Sequence, residues 1–112
     1  MESTRQQKVS RLVQKELALF FQQQAHAFFE GTMITVTVVR VTPDLSLAKT
    51  YLSIFPPEKS EHVFSLIQSN HKKIRNELAQ KIRHQVKSIP DLAFYIDDSL
   101  DYADRINKLL NQ

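Results

Sequence analysis

Two β-branched segments joined by a short turn, within residues 33–55, restrict the possible folds most strongly. Residues 33–42 (MITVTVVRVT) alternate along the chain, which is typical of a strand. Pro43 fixes φ for a turn, and the Asp44 side chain can bond the backbone two residues further on. Residues 47–55 then form a second strand, so the short connection predicts a β-hairpin.

The two faces of this hairpin follow from the alternation of side chains. In the second strand, one face is predicted to carry Ala48, Thr50, Leu52 and Ile54, and the other Lys49, Tyr51, Ser53 and Phe55. In the first strand the apolar positions change parity after Val38, since Ile34, Val36 and Val38 are followed by Val39 and Val41. A bulge near 38–40 would place all five on the core side.

Helical periodicity flanks the hairpin on both sides. Residues 5–24 predict an amphipathic helix with apolar residues at Val9, Leu12, Val13, Leu17, Phe20 and Phe21. After Pro56-Pro57 a second helical pattern extends almost to Ser88, marked by Val63, Ile67, Ile74, Leu78, Ile82 and Val86. The apolar stripe has a gap at 70–72, which predicts two helices with a break between Gln68 and Lys73. Asn70 is expected to leave helical geometry, because asparagine tolerates the left-handed region.

A third strand and a last helix complete the pattern. Pro90 ends the helical region, and Leu92, Phe94 and Ile96 alternate with Ala93 and Tyr95 as in a strand. Leu52 and Phe94 are predicted to be fully buried on the helix-facing side of the sheet. Asp98 or Ser99 can cap a final helix with apolar contacts at Ile106, Leu109 and Leu110. The predicted class is α+β, a three-stranded sheet with helices on one face. The length of 112 residues suits a single domain over 1–112.

The composition excludes several classes of protein. There are no cysteines, which removes disulfides, thiol catalysis and cysteine zinc sites. Gly31 is the only glycine, whereas phosphate-binding loops need several. The first eight residues (MESTRQQK) lack an apolar signal core, and no apolar run approaches the roughly 18 residues that cross a bilayer. These features predict a soluble, cytoplasmic protein without a membrane partner.

The titratable residues give no indication of catalysis. The four histidines show no metal-ligand spacing, and they are His26, His62, His71 and His84. Asp97 and Asp98 are adjacent, but neighbours on a strand point to opposite faces, so they fit a strand end and a helix cap better. No enzyme activity, metal or cofactor is expected.

Basic residues cluster in two parts of the chain, although the net charge is only +3. The first helix carries Arg5, Lys8, Arg11 and Lys15 against Glu16. The second cluster, against Glu77, comprises Lys72, Lys73, Arg75, Lys81, Arg83 and Lys87. On one continuous helix, four of these (Lys72, Lys73, Arg83 and Lys87) would share an arc of about 100° opposite the apolar stripe. Such stripes neutralise phosphates, and a solvated helix face is the alternative for both clusters.

Four sequence blocks resemble the ribosome-binding factor A family, which has a type II KH-like fold. They are RLVQKELALFF at 11–21, PDLSLAKTYLSIF at 43–55, IRNELAQKIR at 74–83 and PDLAFYIDDSLDYADRINKLL at 90–110. The resemblance implies a bacterial, non-catalytic factor, expected as a monomer, for ribosome biogenesis. It would bind the immature small ribosomal subunit and its rRNA during late maturation and rRNA processing, and then leave.

The family's hairpin residues match this chain at Asp44-Leu45 and Ala48-Lys49. Asp44 would fix the turn, Leu45 would pin it to the domain, and Ala48 would let a helix approach the sheet. Lys49 would lie on the opposite face, open to solvent or phosphate. The family's Ala-x-Gly kink corresponds to residues 70–72 here, which contain no glycine.

Two other classes of function stay open from the sequence. A protein-interaction module of KH-like fold would need no RNA contact, and its basic residues would only face solvent. A small α+β enzyme would need a pocket with a titrating pair, which the sequence does not supply.

Overall fold

The computed structural model describes residues 2–97, which form three α-helices and three strands in an α-β-β-α-α-β order. The elements are α1 (Thr4–Phe28), β1 (Met33–Val41), β2 (Leu47–Phe55), α2 (Ser60–Ser69), α3 (His71–Ile82) and β3 (Asp91–Ile96). A 3₁₀ turn at Pro57–Lys59 leads into α2. The predicted C-terminal helix, with its cap at 98–99, lies outside the described residues.

Helix α1 is fixed at its start and along its length by glutamine side chains. Ser3 and Gln6 form a capping box, in which each side chain bonds the other's backbone N–H. The Gln6 amide also donates to the Val41 carbonyl at 2.8 Å, and Gln14 donates to the Val36 carbonyl at 3.0 Å. These bonds hold α1 along the carbonyls of β1, an edge strand of the sheet.

The sheet has the order β1-β2-β3, with β1 antiparallel and β3 parallel to β2. The register runs from Val36 opposite Leu52 to Val38 opposite Tyr51, so Thr37 is the extra residue of a bulge. The bulge was predicted at 38–40 with all five apolar residues of β1 inside, and this was wrong for Val38. Because the inserted residue comes earlier, Val38 falls on the outer face and is 38% exposed.

The core lies between one face of the sheet and the three helices. Leu52 and Phe94, predicted to be fully buried, are 0% and 4% exposed. Phe21 packs edge-on against the Phe94 ring. Ile96 lies on the same face as its register partner Leu52, but it is 39% exposed because it is the last residue of an edge strand. The remaining helical core residues include Val13, Leu17, Val63, Ile67, Ile74, Leu78 and Ile82.

The helix break falls where the apolar stripe predicted it. Asn70 separates α2 from α3 with φ −103° and ψ 21°, so it does leave helical geometry. It does not enter the left-handed region, as its φ is negative and its backbone lies near the bridge region. Its amide N–H still bonds the carbonyls of Leu66 and Ile67, which this conformation permits.

Helix α3 ends at Ile82, earlier than the predicted end near Ser88. Arg83 is its C-cap residue, and the Gln85 N–H bonds the Ile82 carbonyl in the turn that follows. The chain must turn here to reach β3 at Asp91. Val86 therefore contacts the core from a loop rather than from the helix.

Candidate nucleic-acid interface

The chain that follows α3 returns beside the N-terminal half of α1, and a groove forms between them. Four basic residues of α1 lie on one side of it, because their spacing of three to four residues keeps them on one helix face. Lys87 and the hairpin turn close one end. We call this surface the basic groove; its cations are Arg5, Lys8, Arg11, Lys15 and Lys87.

Two adjoining cavities make up the basic groove. One, of about 540 Å³, is lined by α1, the hairpin turn and residues 85–88, and the other, of about 430 Å³, continues along α1. Lys8, Val9, Gln85 and Val86 line both cavities. The floor is therefore apolar and the rim is cationic, an arrangement suited to a polyanion.

A single carboxylate, Asp44, is found among the residues that line the two cavities. Its Oδ1 accepts hydrogen bonds from the Thr42 hydroxyl at 2.7 Å, and from the Ser46 hydroxyl at 2.7 Å and backbone N–H at 3.1 Å. These bonds, the Thr42 hydroxyl first, lower the pKa of Asp44 to about 2. The predicted role of Asp44 in fixing the turn is confirmed. Its negative charge is stabilised by hydrogen bonds from residues of the same turn.

The hairpin turn places its other matched residues as the pattern indicated. Leu45 has φ 62° and packs, partly buried, against the core. Ala48 is fully buried on the helix side of the sheet, where its small side chain permits close packing. Lys49 is exposed on the opposite face, directly across from Arg40 in the register.

The basic residues that were predicted to share one arc of α3 lie in separate parts of the structure. Lys72 and Lys73 are exposed at the start of α3, and the Lys73 Nζ lies 3.7 Å from the centre of the Phe28 ring. Phe28 is about 30 Å from Lys8 along α1 at 1.5 Å per residue. The single arc that included Lys87 was wrong, because α3 ends five residues earlier and Lys87 joins the basic groove.

Three further basic residues of this region lie outside the basic groove. Arg75 donates to the Ile89 carbonyl at 3.3 Å, and its Nε lies 3.6 Å from an Asp91 carboxylate oxygen, so it links α3 to β3. Lys81 lines a small cavity with Glu16 and Glu77. Arg83 is exposed and its Nε donates to the His84 ring at 3.2 Å. The RNA contact predicted for them from the sequence is not confirmed by these positions.

His71 holds the start of α3 against β3, in the segment that matches the family's kink. Its Nε2 donates to the Leu92 carbonyl at 2.7 Å and lies 3.4 Å from an Asp91 carboxylate oxygen. Between residues 2 and 97 there is no group of three or more potential metal ligands. No helix in that range is long and apolar enough to cross a membrane.

Arg40 is the cation that sequence reasoning missed. Its outward position depends on the register, since the bulge at Thr37 decides the face of every later residue of β1. The available signal was its position between Val39 and Val41, because placing both valines on the core side puts Arg40 on the outer face.

The topology and the basic groove define an α+β domain of the type II KH-like class. The chain belongs to the ribosome-binding factor A family, whose model matches residues 5–110. A ribosome-binding factor A of Cytophaga hutchinsonii is 44% identical over all of this chain and 84% of its own length. That of Christiangramia forsetii is 47% identical over 96% of this chain and 82% of its own length.

Solved structures show the same fold. The crystal structure of ribosome-binding factor A from Thermus thermophilus matches with a TM-score of 0.66 at 20% identity, covering 81% of this chain and 94% of that one. A homology model of the Thermus thermophilus factor, fitted into a cryo-EM map of a 30S complex, matches with a TM-score of 0.58 at 21% identity. It covers 78% of this chain and 89% of that one.

Proposed function

We propose that this protein is a non-catalytic ribosome assembly factor. It binds the immature small ribosomal subunit during late maturation and rRNA processing, and it contacts the rRNA through the basic groove. Membership of the ribosome-binding factor A family supports the proposal. So does the fit of the structurally similar Thermus thermophilus factor into a 30S complex.

The observation that carries this proposal is the convergence of cations from two distant parts of the sequence. Arg5, Lys8, Arg11 and Lys15 come from α1, and Lys87 from the loop after α3. The Asp44 carboxylate lines the same groove, but it already accepts hydrogen bonds from the Thr42 and Ser46 hydroxyls of its own turn. A cationic surface of this kind gains binding free energy by releasing the counterions of phosphates. Contacts to phosphates would position the domain on rRNA without reading the base sequence.

Two triple variants with the same loss of charge test the location of the contact. The first replaces Arg5, Lys8 and Lys87 with alanine in the basic groove. The second replaces Lys72, Lys73 and Arg83, which lie outside it. Affinity for small-subunit rRNA is measured across a salt series, and removal of each phosphate contact lowers the slope by about one unit. We expect a decrease of about three units for the groove variant and a slope near that of the wild type for the other.

Thermal melts of both variants separate binding from folding. The replaced groove side chains line a surface, so the melting temperature should change little. The second variant removes the interaction between Lys73 and Phe28, so a small decrease is expected there. A steep slope that survives the groove substitutions and disappears in the second variant would place the RNA at the start of α3 instead.

Sedimentation of the tagged protein in a lysate tests the biological role. An assembly factor should migrate with free small subunits and be absent from whole ribosomes, and cells lacking it should accumulate precursor rRNA. Migration with whole ribosomes would contradict the proposal. Binding to subunits that does not vary with salt would favour a protein-interaction module.

A further inference from the structure

The outer face of the sheet, which points away from the helices, carries aromatic and basic side chains that the basic groove does not use. We call this surface the tyrosine face; its residues are Arg40, Lys49, Tyr51, Phe55 and Tyr95. Tyr51 and Tyr95 are neighbours in the register of β2 and β3. Their rings are stacked, with centres 5.2 Å apart and planes inclined by 26°.

The tyrosine pair leaves aromatic surface open to solvent. Tyr95 is 42% exposed on β3, an edge strand of the sheet. Phe55 is 64% exposed and lies four residues from Tyr51 on the same face of β2, about 13 Å away at 3.3 Å per residue. A planar group could therefore extend the tyrosine stack, and a second could meet Phe55.

Two cations lie next to the tyrosines. Lys49 lies two residues from Tyr51 along β2, about 7 Å away, and Arg40 is its register partner on β1. Both are exposed, and neither forms an ion pair with any residue from 2 to 97. Like charges directly opposite each other on paired strands destabilise a sheet. A bound anion would remove this repulsion.

Carboxylates near the ends of β3 are already engaged. Asp97, which follows β3, accepts a hydrogen bond from the Thr37 hydroxyl in the bulge of β1. Asp91, at the start of β3, lies within ion-pair distance of His71 and Arg75. Among residues 2–97, no carboxylate therefore pairs with the two cations of the tyrosine face.

Exposed rings beside exposed cations on a sheet are suited to single-stranded RNA. Unpaired bases stack on aromatic side chains, while nearby cations neutralise the phosphates. Base pairs in a duplex are already stacked and offer no ring face to Tyr95. A peptide partner would need continuous apolar area, but the polar pair of Thr35 and Ser53 lies between the tyrosines and Phe55.

We propose that the tyrosine face binds an unpaired segment of RNA, with a base stacked on Tyr95 and an adjacent phosphate between Arg40 and Lys49. The inference rests on the proposed function in that the RNA is ribosomal. It concerns a surface on the other side of the sheet from the helices, so it adds recognition of unpaired nucleotides to the phosphate contacts of the basic groove.

The test compares a short single-stranded oligoribonucleotide with a duplex of the same length. Replacement of Tyr95 by leucine removes the ring but keeps apolar area. Loss of one stacked base should weaken binding of the single strand by about 5- to 150-fold, leaving duplex affinity and the salt slope unchanged. The matched variant Tyr95→Phe keeps the ring and should bind as the wild type does. Replacing Arg40 and Lys49 with glutamine should instead lower the salt slope by about one unit, because the two side chains share one phosphate.

Wild-type affinity of Tyr95→Leu for the single strand would overturn this inference, as would an equal loss for single strand and duplex. A change in self-association of Tyr95→Leu, with RNA binding intact, would also overturn it in favour of a second copy on this face. The groove triple variant in the same assay separates the two proposals. If it keeps duplex binding while Tyr95→Leu loses the single strand, the tyrosine face stands and the groove does not.

Discussion

The side-chain amide of Asn70 donates a hydrogen bond to the carbonyl oxygen of Leu66 at 2.7 Å. That carbonyl belongs to the last turn of α2 and also accepts a hydrogen bond from the Asn70 backbone N–H at 3.1 Å. One residue therefore closes α2 with its side chain, while its own carbonyl accepts the first bond of α3 from Ile74. The break between the helices is built without glycine.

Replacing Asn70 with alanine should destabilise the domain by about 1 kcal/mol, because the Leu66 carbonyl loses its side-chain donor. The measurement is the denaturant midpoint in urea. Ser69→Ala, at an exposed neighbouring position, is the matched control and should leave the midpoint within error. Equal midpoints for Asn70→Ala and the wild type would show that the side-chain bond contributes nothing to the join.

Truncation of Leu52 or Phe94 to alanine should reduce the free energy of unfolding by about 2–5 kcal/mol. Both side chains are buried between the sheet and the helices, so a cavity would remain. Leu19→Ala, at a position 42% exposed on α1, should cost far less. An unchanged midpoint for Leu52→Ala would mean that the faces of β2 are reversed.

Asp44 should make stability depend on pH in a defined window. Its pKa falls from an ordinary 3.8 to about 2 in the folded state. A lowered folded-state pKa contributes stability that is present above pH 3.8 and is lost as the pH falls through 2. Asp44→Asn should therefore be less stable than the wild type near pH 6, and the difference should shrink between pH 4 and 2. A difference that stays constant down to pH 2 would contradict this account.

The contact between Lys73 and Phe28 should contribute about 0.5–1 kcal/mol, typical of an exposed cation–π pair. Phe28→Leu keeps most of the apolar area but removes the π-face, and Lys73→Gln removes the charge. A double-mutant cycle of these two changes, followed by thermal melts, measures the coupling. Additive effects would show that the ammonium and the ring do not interact in solution.

Element order and core could be predicted because they depend on periodicity. The gap at 70–72 in the apolar stripe located the helix break, and alternation placed Leu52 and Phe94 in the core. The bulge was placed wrongly because an inserted residue at Thr37 or nearer Arg40 gives almost the same pattern of valines. Pairing with β2 decides between them, and that pairing cannot be deduced from β1 alone.

The candidate site was predicted residue by residue but not as a surface. The basic residues of α1 and Lys87 were identified separately, and their meeting depends on where α3 ends. Helical spacing through Val86 hid that end, since a loop residue that touches the core repeats the apolar signal of a helix. Arg75 was also predicted to contact RNA, but its charge lies next to the Asp91 carboxylate and links α3 to β3.

The glutamines of α1 that reach the carbonyls of β1 have a consequence for how the sheet meets other chains. An edge strand ordinarily offers its backbone as a template for a further strand, which is the first step of aggregation. Here the amides of Gln6 and Gln14 already occupy the carbonyls of Val41 and Val36. A foreign strand would have to displace both side chains before it could add to this edge. The β1 edge is therefore protected against pairing with strands of other molecules, and so against aggregation.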